Sequence, residues 1–273
     1  MVAPLQYHAW VEFGNRLVNV AITLAIVLVA LSALARRPRR RDLLWLSFGL
    51  VVGILGEVVL GGETVLYKLA APLVMAHMLL AVLLLATAVV LYQRAGEPDD
   101  TTGLPKGRAR AAPLTWRVSL AQRTAAQAML GLTAVVVALG TVVTGTGPHA
   151  GAPGVPRFGF SLHAVAQLHG TSVEVLLALT VATLWWLHRT RAPFAVMRRG
   201  EVLLVVMVAQ AAIGYTQYFS GDPALLVGFH LAGASSLVVA MVAFNLGLYA
   251  RRPRPPVPTV SVEGTSARAL VEA

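Results

Sequence analysis

Apolar residues fall in seven nearly uninterrupted stretches, near residues 15–35, 42–60, 73–93, 122–144, 162–187, 201–219 and 224–249. Each approaches the roughly 20 residues that carry an α-helix across a hydrocarbon core. A spanning segment must satisfy its own backbone polar groups, so the pattern predicts an all-α integral membrane helical bundle with seven transmembrane helices. Residues 95–118, rich in Gly, Pro, Arg and Asp, break the pattern and divide the chain.

Composition agrees with a bilayer. The 273 residues are 57% hydrophobic and 12% charged, with a mean hydropathy of +0.71, which leaves too little polar surface for a soluble domain of this length. The net charge of +10 could suggest nucleic acid, yet the basic residues sort by loop instead of forming a groove-binding patch. They gather at 36–41, 94–117, 189–199 and 251–254, whereas the alternate loops hold Lys68 and Arg157. By the positive-inside rule this charge reads as topology, with the N-terminus outside and the C-terminus cytoplasmic in a multi-pass plasma-membrane protein. The chain has no cysteine, which excludes disulfides and thiolate metal sites. Met1 to Phe13 does not read as a cleavable signal peptide, and the tail 251–273 lacks the patterned apolar surface needed to fold.

The apolar pattern is also duplicated. Around His77 the sequence recurs 153 residues later around His230, Gly61 falling on Gly214, Leu73 on Leu226 and Glu57 on Gln210. With one residue of slip, Asn15 falls on His169, so the paired positions are 62 residues apart in one half and 61 in the other. We therefore divide the chain into a first half at 1–94, a cytoplasmic linker at 95–118, a four-helix second half at 119–250 and a disordered tail at 251–273. Such internal repeats commonly place functional sites symmetrically between halves. The first half lacks a counterpart of the helix 122–144 and the outer loop after it. Either that helix has been lost or the reading frame starts late, and we expect it upstream of Met1.

Six of the seven histidines, His8, His77, His149, His163, His169 and His230, fall on the outer side, and His188 is interfacial beside Arg189. A lone histidine in an apolar helix is commonly a hydrogen-bonded packing residue. Two pairs at matched spacing favour a site, because ionisable groups are costly in a membrane. Neutral imidazole is a standard axial ligand of haem iron, and helical bundles commonly hold one, so His169 and His230 are read as ligands of one haem. Arg157, in the Gly/Pro-rich loop that holds His149, is a candidate partner for a haem propionate, with a solvated loop arginine as the alternative. Zinc is poorly served, since no carboxylate or thiolate accompanies these histidines at metal-site spacing. Glu12, three residues before Asn15, has Ala166 as its repeat counterpart. One half thus has a potential acid/base group that the other lacks, unless Glu12 is a helix N-terminal carboxylate held by the macrodipole. Glu57 and Glu174 also lie in or near the bilayer, where hydrogen bonding within the bundle accounts for either.

The segments VEFGNRLV from Val11, VLGGETVL from Val59 leading to AHMLLA, GTVVTGTGPHAG from Gly140, AQLHG from Ala166 and AIGYTQYFSGDPALLVGFHLAGA from Ala212 resemble the bacterial haem A synthase family. The resemblance runs from about Trp10 to Leu248 and implies an eight-helix membrane enzyme of two four-helix halves. It implies oxidation of the C8 methyl of haem O to a formyl group, giving haem A for terminal oxidases. It further implies a b-type haem between His169 and His230, and a substrate haem O held by His77 with Glu12 beside it as the catalytic pair.

Two departures from the family stand out. Asn15 replaces a common histidine, and the first helix and its outer loop, where many members carry a cysteine pair, are missing. Asparagine is a poor ligand and a good hydrogen-bonding group, so His77 is expected to hold the substrate iron alone, leaving an open coordination face, with His8 as a substitute ligand. The expected partners are haem O, membrane lipid and an unidentified electron donor, with haem O synthase, oxidase assembly proteins and a second copy of the chain as candidates. A di-histidine b-type cytochrome that passes electrons, for instance from quinol, is the competing reading.

Overall fold

The structure is a computed structural model that describes residues 7–148 and 150–252, apart from the side chains of residues 7–9, 11 and 12. Seven helices dominate the described residues: α1 (Tyr7–Ala35), α2 (Arg41–Leu66), α3 (Ala71–Ala95), α4 (Leu120–Thr146), α5 (Leu162–Arg189), α6 (Phe194–Phe219) and α7 (Ala224–Gly247). All seven are long and apolar enough to cross a membrane, so the fold is the expected all-α membrane bundle. Most extend past the apolar runs. α6 begins at Phe194 instead of 201 because a helix propagates through polar residues such as Arg198 and Glu201 once its apolar turns are fixed.

Helix starts follow local chemistry. Pro72 stands in the first turn of α3, where its missing N–H costs nothing. Ser119 and Gln122 form a reciprocal capping box on α4. Gln122 also donates to Thr190 Oγ1 at 2.7 Å, tying the start of α4 to the end of α5.

The duplication is visible in backbone geometry. Lys68 and Leu69 turn the chain between α2 and α3 with φ of 52° and 63°; Gly221 and Asp222 do the same between α6 and α7 at 78° and 58°. Three backbone hydrogen bonds recur at the same offset. Tyr67 N–H donates to Glu63 O as Ser220 does to Thr216 O, Lys68 to Val65 O as Gly221 to Tyr218 O, and Leu69 to Thr64 O as Asp222 to Gln217 O. The left-handed turn costs a β-carbon residue of order 1 kcal/mol, which the hydrogen bonds to the last carbonyls of the helix offset. Each turn delivers a histidine six residues into the next helix, His77 after Ala71 and His230 after Ala224.

The main apolar core lies within α4–α7, where Met129, Leu176, Leu203, Met207, Met241 and Phe244 are fully or nearly fully buried. A second seam, Val137, Val238 and Val242 against Leu79, Val82 and Ala86, joins α3 to α4 and α7. At the end of this seam nearer the linker, Arg199 Nη1 donates to Gln93 Oε1 at 3.0 Å and to Ala243 O at 2.8 Å, bridging α6, α3 and α7. The first half has a smaller core, Leu43, Leu50 and Leu91, and α1 packs on α2 with most of its surface exposed.

The linker folds in part. β1 (Arg39–Arg40), β2 (Asp99–Asp100) and β3 (Arg108–Ala111) form a sheet in the order β1-β3-β2, and β4 (Leu114–Trp116) pairs antiparallel with β5 (Tyr249–Arg251). Arg40 is fully buried, bonding Asp42 through Nε at 3.1 Å and Nη2 at 2.7 Å and Glu97 O at 3.1 Å. Arg251 reaches Glu97 Oε2 at 2.8 Å and Ala112 O at 2.8 Å. Arg251, expected to open a disordered tail, therefore belongs to a strand, because backbone pairing and two polar contacts hold what the apolar pattern did not register. The tail from residue 253 onward lies outside the described residues.

Candidate haem-binding site

α5 and α7 bring His169 and His230 together, with ring centres 6.4 Å apart and ring planes at 72°. Two imidazoles on opposite faces of one metal, with metal–nitrogen distances of about 2 Å, hold their centres about 6 Å apart. The donor pair thus fits an iron between two neutral rings.

Each ring is held from behind by the helix that precedes its own. His169 Nδ1 lies 3.1 Å from Val136 O on α4. When Nδ1 carries the proton and donates to that carbonyl, Nε2 keeps its lone pair for a metal. Gly140, one turn after Val136, leaves the carbonyl open, and a Cβ there would lie 3.2 Å from His169 Cε1. On α6, Gln210 Nε2 lies 3.1 Å from His230 Nδ1 and donates to His230 O at 2.8 Å. Gly214, again four residues on, has the same role, with a Cβ there 2.9 Å from His230 Cε1.

The first half repeats the device. Glu57 Oε2 on α2 lies 2.5 Å from His77 Nδ1, and Gly61, four residues later, would place a Cβ 3.5 Å from His77 Cε1. A polar group followed four residues later by glycine thus backs all three histidines: Val136 and Gly140, Gln210 and Gly214, Glu57 and Gly61. Residues four apart share a helix face, so one face supplies both the polar contact and the space. The sequence repeat matched Gly61 with Gly214 and Glu57 with Gln210, yet the contact with histidine became visible once the helices were paired.

Other expected site residues are placed differently. Asn15 is exposed on α1, and no bond joins it to His77 among the described residues. Glu12 lies in α1, three residues away, while its side chain, like that of His8, is outside the described set, as is His149. Arg157 is exposed and donates through Nη2 to Pro148 O at 3.0 Å, bracing its own loop. His163 Nδ1 lies 3.1 Å from Tyr218 Oη, and Tyr215 donates to Glu174 Oε1 at 2.6 Å, which satisfies that intramembrane carboxylate within the bundle.

These features define a class: a multi-pass helical membrane protein with a paired-histidine centre and a third, separately backed histidine in a repeated frame. The sequence model of the cytochrome oxidase assembly protein family, COX15-CtaA, matches residues 2–242, and the chain belongs to this haem A synthase family. No curated protein matches the chain.

Proposed function

We propose that this protein is a haem A synthase, oxidising the C8 methyl of haem O to a formyl group within cytochrome oxidase assembly. The observation that carries the reading is the 6.4 Å separation of His169 and His230, with the Val136 carbonyl placed to accept from His169 Nδ1 and leave its Nε2 to ligate. In this reading the pair holds a b-type haem, which supplies electron transfer when bound. His77 holds the iron of the substrate haem O, Glu12 moves a proton or stabilises charge at the reacting carbon, and Asn15 offers a hydrogen bond in place of a second ligand. Arg157 is the candidate partner for a propionate, provided it releases Pro148 O.

The division of labour follows the asymmetry between the halves. Two histidines face each other in the second half, which suits an electron carrier with no open position. His77 is 41% exposed at its side chain, which suits a site entered from lipid by a substrate with an isoprenoid tail. We place the protein in the plasma membrane with its basic loops cytoplasmic, served by a separate electron donor.

Haem extraction from membranes that make haem O, with and without this protein, tests the proposal. Haem A should appear with the protein present. If haem O persists while a low-spin b-type spectrum is seen, the protein is the electron-passing cytochrome instead.

A further inference from the structure

Resting on the reading of His77 as a haem ligand, we propose that Glu57 is a positioning residue that makes His77 a stronger and more firmly oriented iron donor than His230. The two halves use the same construction and differ in one chemical group. Glu57 precedes His77 by the same interval as Gln210 precedes His230, each lies on the helix before its histidine, and each touches Nδ1. A carboxylate stands in one half and a neutral amide in the other.

The carboxylate has no other evident task. Its side chain is 11% exposed within a membrane-spanning helix, where an unpaired charge is costly. Among the described residues, its Oε2 lies 2.5 Å from His77 Nδ1 as an ion-pair contact, while its Oε1 and His77 Nδ1 are both buried without a regular hydrogen bond, which a small rotation of the carboxylate would supply. If it served packing alone, an amide of the same shape would do as well at lower desolvation cost, as Gln210 does in the second half.

What the carboxylate adds follows from the ring. An anionic acceptor at Nδ1 fixes the proton there, leaves the Nε2 lone pair free, and draws Nδ1–H strongly enough to raise electron density at Nε2. Gln210, whichever way its amide is turned, presents a neutral dipole to His230. The site with one histidine thus receives the stronger donor, and the site with two receives ordinary ones.

The test uses the purified full-length protein with its b-type haem in place, titrated with haem O. In Glu57→Gln the six-coordinate spectrum of the second half should be retained. Haem O affinity should fall about 10- to 100-fold, and the ferrous iron–histidine stretching band of the added haem should move to lower frequency. Glu57→Asp, which keeps the charge, should retain more of both. Unchanged affinity and band position in Glu57→Gln overturn the proposal. If Glu57→Gln also loses the b-type spectrum, Gln210→Glu decides. A lowered reduction potential at the six-coordinate site supports carboxylate tuning, and an unchanged potential overturns it. His77→Leu separates the two levels of the argument: parental haem O affinity there removes His77 as ligand, whatever Glu57 does.

Discussion

Gly214 lies against the edge of the His230 ring, so that a Cβ on the glycine would sit 2.9 Å from Cε1. That distance is shorter than ordinary carbon contact, and the ring is already held by Gln210. Gly214→Ala is therefore expected to rotate or displace the imidazole, at a cost typical of overpacking, about 1–3 kcal/mol. Weaker retention of b-type haem, with a mixed-spin spectrum, is the expected outcome. A Gly228→Ala control, where a Cβ meets nothing within 4 Å, should leave the spectrum unchanged.

His169→Leu and His230→Leu should each abolish the six-coordinate low-spin spectrum of the purified protein. Both rings belong to one centre, so either loss should remove it. Two variants with the parental spectrum would withdraw the pair from haem ligation.

Glu12→Gln should separate chemistry from cofactor binding. The b-type haem is expected to remain, because α5 and α7 are untouched, while haem O or its hydroxymethyl form accumulates. General acid/base groups contribute about 10²- to 10⁴-fold in rate, and haem A formation should fall within that range. Haem A made at the parental rate would return Glu12 to an interfacial helix-end carboxylate.

The linker offers a pH test away from the membrane. Asp100 is held down to about 2, first by bonding to Thr102 and then by Arg110, whose Nε lies 3.1 Å from Oδ2. A carboxyl depressed in the folded state stabilises that state above its unfolded value near 3.8, and the contribution is lost as pH falls from there towards 2. Hydrogen-exchange protection of residues 99–111, relative to the intrinsic rate at each pH, should therefore fall over that window. Asp100→Asn should exchange faster at neutral pH and lose most of the pH response.

The seven helices were legible because apolar length is nearly sufficient to specify a membrane span. The His169–His230 pair was legible because the duplication marked its spacing, whereas the matching spacing of Asn15 and His77 yields no bond between those two among the described residues. The backing of the rings was less so. Val136 contributes a main-chain carbonyl, which leaves no mark in side-chain chemistry, and the Glu57 contact depends on how α2 packs on α3. Arg157 drew attention by its charge, whereas its bond to Pro148 O depends on loop geometry that composition does not encode. The linker strands escaped notice because two to four residues are too few to show alternation, and their register is set by Arg40 and Arg251 from distant parts of the chain.

The connection between the two halves is a clasp and not a tether. β2 and β3 lie on either side of residues 101–107, the Asp100–Arg110 pair spans that tip, and β4 is stitched to the end of α7. Peptide continuity across the tip is thus mechanically redundant. A gene divided there is expected to yield two polypeptides, one carrying His77 and the other His169 and His230, that dock through the Arg199–Gln93 bridge and the α3–α7 seam. Each part could then be loaded and characterised by itself before the parts are combined.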